Sequence, residues 1–491
     1  MKTKRPKWWA IILCSLVFVT SCSDDNSPVR GGDDNGIKVI EDSKPENLME
    51  TEGFFVVNED WFGHDNGTVN YFKKNGESYD ITCRAYRTVN EGETLGATTQ
   101  FATIWGDYVY FVSKQGNRLV VADAKTLKKK AIFKELGGDG RSFLGIDDKK
   151  GYVGTANGIV TFDIPNLTIG ETIEGVSGQI GTMCYAEGKV FAVSQSNGLY
   201  VIDAQTNQLT ETIAGTYNTL TRSKDGNIWI AGTNKLISLD PKTLETTEFD
   251  YPEGATIGSV WGAWNAGSLC ASTQHNTLYW TSGGGMFGGG KDVIQYDIEN
   301  NSGRTIYSLG ESDEGTQLEF YGAGLRVDPL TDELILTVKH SGWGTNGAYN
   351  WIYKLNNQGQ EITHLAVKED NGNNGIEGGW YYWFPAMPFF EDANKPQILT
   401  NQIILKPGET QEINLEEKIV DYDNTFASIQ KTVSLSDNDL IETCKVEDNK
   451  LIVQSKEGAT GETVCTLTVI SNGVSVSKDI QIVVTSEEVA H

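Results

Sequence analysis

Two histidines, His64 and His340, are the residues of this chain best placed to do chemistry, as a metal pair or as acid and base. The loops that carry them come to one face in the architecture read below. His275, His364 and the terminal His491 have no such company. No Glu-x-x-His or His-x-His spacing involves His64 or His340, no Gly-x-Ser-x-Gly elbow offers a nucleophile, and no Cys-x-x-Cys marks a zinc or redox site. The glycines from Gly283 to Gly290 do not lead from a strand into a helix, so they are a loop and not a phosphate cradle. What the chain does carry is a set of aromatics in long loops: Trp61, Phe62, Trp343 and Tyr349, with Met286 and Phe287. Connecting segments add Trp261, Trp264, Phe320, Tyr321 and Trp380. Large apolar side chains on glycine-rich loops are costly in water unless they meet a partner. With Asn and carboxylates beside them they have the composition of a small-molecule site. The alternative for any one ring is packing inside the fold.

The elements that must position these loops come from a repeat. Compare GDYVYFVSKQGNRLVVADAKTL from Gly106, KGYVGTANGIVTFDIPNL from Lys150, EGKVFAVSQSNGLYVIDAQTNQL from Glu187 and DGNIWIAGTNKLISLDPKTL from Asp225. Each has a turn, an alternating strand, a Gly/Asn turn, a second strand, and an Asp that opens another turn: Asp123, Asp163, Asp203 and Asp240. Longer copies start at Glu52, Asn276 and Asp332, which makes seven units at roughly 40 to 55 residues, the period of propeller blades. A lone four-stranded unit cannot bury both its faces, whereas a closed ring can. The first unit lacks an innermost strand, and the segment Trp383 to Phe390 is expected to supply it. The fold class read here is all-β: a seven-bladed β-propeller over residues 50–392, followed by a small β-sandwich over 393–491.

In such a ring the loop between the second and third strands shares a face with the blade-to-blade connections. That loop is long in blades six, seven and one, which are neighbours: Ser282 to Lys291, His340 to Asn350 and Asn58 to Gly67. The expected site is therefore an aromatic wall on this upper face, formed by Trp61, Phe62, His64, Met286, Phe287, His340, Trp343 and Tyr349. Trp261, Trp264 and Trp380 join it from the connections. No catalytic residue, resident metal or cofactor is assigned, and the reading is not an enzyme.

The chain opens with Lys2, Lys4, Arg5 and Lys7 and an apolar core from Trp8 to Val19. That core is too short for a membrane span of about 20 residues and reads as a signal peptide over 1–21. The ending Val19-Thr20-Ser21-Cys22 resembles a bacterial lipobox, which implies a lipid on Cys22. The following Ser23-Asp24-Asp25-Asn26 resembles the export signal of Bacteroidota surface lipoproteins. Localisation at the outer membrane, facing outward, is implied. Residues 22–49, rich in Asp, Asn, Gly and Ser, read as a flexible tether. The formal charge of -26 becomes about -30 once the four basic leader residues are gone. Such a chain lacks the positive surface that nucleic acid or anionic lipid requires, so membrane contact is through the anchor alone.

Cys444 and Cys465 lie near each other in the last segment, and oxidising surroundings would allow them to form a disulfide; buried free thiols are the alternative. The strand order after Pro396, with Gly458-Ala459-Thr460-Gly461 at a turn, resembles bacterial immunoglobulin-like or cadherin-like modules, which implies a spacer or docking domain. Asp421, Asp423 and Asn424 there could hold calcium, but a solvated turn is the expectation. Ser223 to Trp229 looks like the Asp-box of sialidases but is one residue short, and a plain Asp-Gly hairpin explains it better.

The unit Val201-Ile202-Asp203-Ala204-Gln205-Thr206-Asn207 resembles the repeat of YncE-like propellers, which specifies fold well and function poorly. Val57-Asn58-Glu59 and Asn66-Gly67-Thr68-Val69-Asn70-Tyr71 resemble the opening of lipidated Bacteroidota surface propellers. One branch of that group captures cobalamin-like corrinoids for a TonB-dependent outer-membrane transporter, without catalysis. The resemblance implies a corrinoid as ligand and such a transporter as partner, while the aromatic rim would suit a glycan almost as well. The C-terminal module and larger loops set this chain apart from that branch. The other readings are an adhesion or scaffold propeller binding a protein or glycan partner, and a propeller lyase or hydrolase.

Overall fold

The computed structural model describes residues 30–32, 38–44, 52–283, 289–369, 375–391 and 395–486. Its main body is a ring of seven four-stranded antiparallel sheets among the described residues, a β-propeller. Blade two shows the pattern: Ala97–Trp105 innermost, then Tyr108–Gln115, Leu119–Asp123 and Lys129–Phe133 at the rim. The two middle strands are buried nearly throughout while the rim strands are largely exposed, as expected for stacked sheets whose inner faces press on neighbours.

The repeated Asp has a local cause. Asp123 and Asp203 each accept the backbone N–H and the hydroxyl of a Thr three residues on, at distances from 2.7 to 3.0 Å. Asp163 and Asp297 accept instead the backbone N–H and the side-chain amide of Asn166 and Asn300. These bonds close the turn into the rim strand and hold the exposed carboxyls below their usual range. The stretch Ser223 to Asn227 is a hairpin turn between Tyr217–Arg222 and Ile228–Gly232.

Blade one is built from both ends of the ring. Pro385–Phe390 pairs antiparallel with Gly53–Asn58, setting Phe55 opposite Phe389 and Val57 opposite Met387. The Phe55 and Phe389 rings stack with centroids 5.1 Å apart. The inner strand Pro385–Phe390 lies between those of blades seven and two, so the ring is closed without a free sheet edge at its seam.

Residues 395–486 form a second layered unit with one shared core that includes Ile403, Leu451, Val453, Leu467 and Ile482. A three-stranded sheet, Thr410–Asn414, Lys450–Ser455 and Ile441–Glu447, faces a six-stranded sheet. The six-stranded sheet corrects the tether reading. Lys38–Glu41 pairs with Thr400–Leu405, with Val39 opposite Ile403, and Arg30–Gly32 pairs in turn with Lys38–Glu41. Composition hid this strand because the apolar pair Val39-Ile40 sits among charges. Asp42 receives hydrogen bonds from Lys478 and Asn401, both at 2.7 Å, and Lys418 meets Glu41 at 2.8 Å. Cys22 and residues 22–29 lie outside the described residues.

This unit docks on the lower face of the propeller. The Gly106 amide donates to the Asn472 carbonyl at 2.7 Å, Gln430 reaches the Ile146 carbonyl, and Lys242 pairs with Asp448 at 2.9 Å. Gly106, Ile146 and Lys242 all sit in turns opposite the upper-face loops. At the closest approach Gly473 has φ +82, and a Cβ there would come within 2.6 Å of the Gly106 nitrogen, so only glycine fits. The reading of Asp421 to Asn424 as a solvated turn is corrected by the same contact. Asp423 is 5% exposed, and Asn424 bonds Ser471 and Asn472 beside the docking seam. Burial and the neighbouring Asp423 push the Asp421 carboxyl up to about 7.

Candidate functional site

With the lower face covered, the upper face is where the loops of blades seven and one stand. Asn58 ends the second strand of blade one and Thr68 begins the third, and the loop between them carries Trp61, Phe62 and His64. Trp61 is sandwiched by His64 at 3.8 Å and Tyr382 at 4.4 Å, both rings nearly parallel to it. Tyr382 continues toward Phe384, which packs on Tyr321 at 5.3 Å and against Gly347 of the blade-seven loop. A second cluster joins Tyr349 to His340 at 4.6 Å and to Trp380 at 4.9 Å, with Lys368 over the Trp380 ring at 4.2 Å. The segment from Trp380 to Phe384 thus welds the two long loops together. Above this base, Phe62 is 76% exposed and Trp343 is 61% exposed.

The sequence-predicted residues divide into two groups. Trp61, Phe62, His64, Trp343, Tyr349 and Trp380 form or cap the wall. Trp261, Trp264 and His340 do not reach solvent and belong to the interior. Trp261 donates its indole N–H to the Tyr217 carbonyl at 2.9 Å, and its ring tip fills the space where Gly181 lacks a side chain. Trp264 is buried among the inner-strand core and lies under the Arg141 guanidinium at 5.6 Å. The connection between blades five and six is therefore a stopper in the upper end of the axis. Its apolar residues looked like surface because connections usually are. His340 is 5% exposed, and burial holds its imidazole below the ordinary value, which keeps it neutral. His64 and His340 each stack within their own cluster, and no group of three metal-ligating side chains occurs among the described residues. Met286 and Phe287 lie outside them.

Around the stopper runs a polar ring that loop length alone did not reveal. Gln100 donates to Glu59 at 2.8 Å, and Tyr321 also bonds Glu59. Burial raises the Glu59 carboxyl, opposed by the charge of Lys114. Arg141 grips Gln179 at 2.9 and 3.2 Å, and Gln179 bonds Gln195 at 2.7 Å. Gln100, Arg141, Gln179 and Asn218 occupy the upper ends of successive inner strands.

An aromatic wall beside a rim of amides, one carboxyl and two cations can stack on and orient a ligand of mixed polarity. Residues 52–391, from the first strand of blade one to the end of its closing strand, match the family described as "Domain of unknown function (DUF5074)". The chain belongs to the DUF5074 family. The match begins and ends with the closed ring and leaves out the C-terminal unit. Among solved structures, the DUF5074 propeller is similar to a quinonprotein alcohol dehydrogenase-like protein from Bacteroides thetaiotaomicron. That likeness has 15% identity and a TM-score of 0.50, over 72% of this chain and 84% of that one. Another similar structure is the extracellular domain of a protein named as a hybrid two-component system of the same organism. There the identity is 12% and the TM-score 0.40, covering 85% of this chain and 62% of that one. The first of these likenesses, at its low identity, supports the propeller fold alone. No curated protein matches the DUF5074 chain.

Proposed function

We propose that the chain is a non-catalytic capture protein, lipid-anchored through Cys22 at the outer surface of the outer membrane, that binds a nutrient on the upper propeller face. A corrinoid is the ligand proposed, and a TonB-dependent transporter the partner that receives it. The observation that carries the reading is the exposure of Phe62 and Trp343 on the upper face while the C-terminal unit occupies the lower one. Exposed rings of this size gain by meeting a ligand. The anchoring geometry supports it as well. Cys22 precedes the Arg30–Gly32 strand of that sheet by eight residues, a reach of about 29 Å at most. That strand belongs to the unit under the propeller, so the membrane would lie on the lower side and the aromatic face would point away from it.

The test is calorimetric titration of the chain lacking residues 1–22 with cyanocobalamin and with a glycan panel. Saturable heat with a corrinoid is expected, and Trp343→Ala and Trp61→Ala should each weaken it at least tenfold. No heat with any corrinoid rejects the proposed ligand. Unchanged affinity in both variants would reject the wall as the site.

A further inference from the structure

The axis beneath the tryptophan stopper is hollow. A cavity of about 380 Å³ runs between the inner strands, at the small end of ligand pockets, which span about 300–1,000 Å³. Leu220, Leu269, Met387 and Phe389 give it an apolar wall, and Thr103 and Thr219 add hydroxyls. Its lower end reaches Asp423 and Asn472 of the C-terminal unit. This space is separate from the upper face.

Arg326, on the inner strand Leu318–Val327 of blade seven, brings a guanidinium into the lining. Its Nη1 donates to the carbonyls of Gly267 at 3.1 Å, Ala323 at 3.1 Å and Leu325 at 2.6 Å. Its Nη2 contacts the Met387 sulfur at 3.1 Å. Every one of these acceptors is neutral, and among the described residues no carboxylate pairs with Arg326. Arg326 is half-buried, and a cation partly drawn out of water without a counter-charge is unfavourable, which is why guanidinium groups so placed are ordinarily paired. The bonds it does make leave the Nε–H and one Nη2–H uncommitted. Nε and Nη2 form one edge of the fork, an edge that can take a carboxylate in two parallel bonds.

We propose that the axial chamber binds a small organic monocarboxylate, its carboxylate on Arg326 and its carbon skeleton against the apolar inner-strand side chains. The apolar wall favours a ligand with a hydrocarbon body over inorganic phosphate. Glu391 and Asp423, also in the lining, disfavour a second negative charge.

The experiment uses the full chain without its leader. Monocarboxylates from acetate to hexanoate, and benzoate, are titrated by calorimetry and by thermal melting. The matching neutral amides and inorganic phosphate are run beside them. Saturable binding with a rise in Tm is expected for at least one carboxylate, at least tenfold stronger than for its amide or for phosphate. Arg326→Gln should weaken it at least tenfold. Ala271→Leu, which fills part of the lining and keeps the guanidinium, should do the same. Should Arg326→Gln fail to fold, the carboxylate-against-amide comparison and the Ala271→Leu variant decide. No saturable carboxylate binding, equal binding of the amide or of phosphate, or binding that survives Ala271→Leu would each overturn the proposal and leave Arg326 as a strut between blades six, seven and one.

Discussion

Arg87 holds the Asp65 carboxylate with two hydrogen bonds, from Nη1 at 3.1 Å and Nη2 at 2.9 Å, and bonds the Asn66 carbonyl at 2.6 Å with the same group. Tyr381 adds a third bond to that carboxylate at 3.2 Å. The blade-one loop bearing Trp61 and Phe62 is thereby fastened to the short helix Ala85–Val89 and to the segment that closes the ring. Burial works to raise the Asp65 carboxyl, but the hydrogen bonds and charge of Arg87 outweigh it and hold the group below the usual carboxylate range.

The sign of the pH dependence follows. A carboxyl depressed in the folded state binds its proton more readily when unfolded, so its contribution is complete above the unfolded value and is lost as pH falls through the folded one. Asp65→Asn is expected to lower the unfolding free energy by about 1 kcal/mol at neutral pH. The gap between the two proteins should close as pH falls below 3.8. Urea melts at a series of pH values measure it, and a gap that persists in acid would remove Arg87 as its source.

The exposed and the buried tryptophans make opposite predictions. Phe62→Ser and Trp343→Ser should change stability by no more than about 0.5 kcal/mol while weakening the upper-face ligand. Trp264→Ala should cost about 3–5 kcal/mol, because it empties the stopper under Arg141. Thermal melts of the three variants, set beside ligand titrations, separate the roles. A large stability loss for Trp343→Ser would place that ring in the core.

How far these roles could be read beforehand differs by element. The blades were legible because Asp123, Asp163, Asp203 and Asp240 each need the same turn, and strands of period two leave a regular trace. The wall was partly legible, since Phe62 and Trp343 lie in loops longer than their counterparts. Trp261 and Trp264 were misplaced for a physical reason. Whether a connection crosses the axis or skirts the rim depends on partners such as Gly181 and Arg141, which are far away in the chain. The ring of Glu59, Gln100, Arg141 and Gln179 escaped because its members come together only when successive inner strands stand side by side. The strand at Val39 escaped because its partner, Ile403, is separated from it by the whole propeller.

That strand gives a prediction about the lower unit. Val39 packs against the C-terminal core and Asp42 is fixed by Lys478 and Asn401, so the segment ahead of the propeller completes a sheet behind it. Val39→Asp should cost about 1–3 kcal/mol, since a charge would face apolar neighbours. The amides of Thr400–Leu405 should then exchange faster, with blade amides such as those of Tyr108–Gln115 unaffected. Hydrogen exchange read by mass spectrometry tests this. Uniform acceleration across the propeller would mean that the two units unfold together.

The cysteines differ in their expected redox behaviour. Cys444 lies in the three-stranded sheet and Cys465 in the six-stranded one, and their side chains hydrogen-bond across the shared core. The contact raises the Cys465 thiol and lowers that of Cys444, which makes Cys444 the better nucleophile of the pair. Burial pushes Cys83 up to about 11 and Cys184 and Cys270 up to about 12, so those three should remain thiols. Under a mild dithiol oxidant such as diamide, Cys444 and Cys465 should lose their two protons and two electrons to the oxidant and join. Differential alkylation of the chain lacking residues 1–22 would then find three reactive thiols after denaturation in place of five. Closing that loop should stabilise the lower unit by about 3 kcal/mol. Five alkylatable thiols after oxidation, or a bond that involves Cys184 or Cys270, would contradict the arrangement of the core that places the two sulfurs in contact.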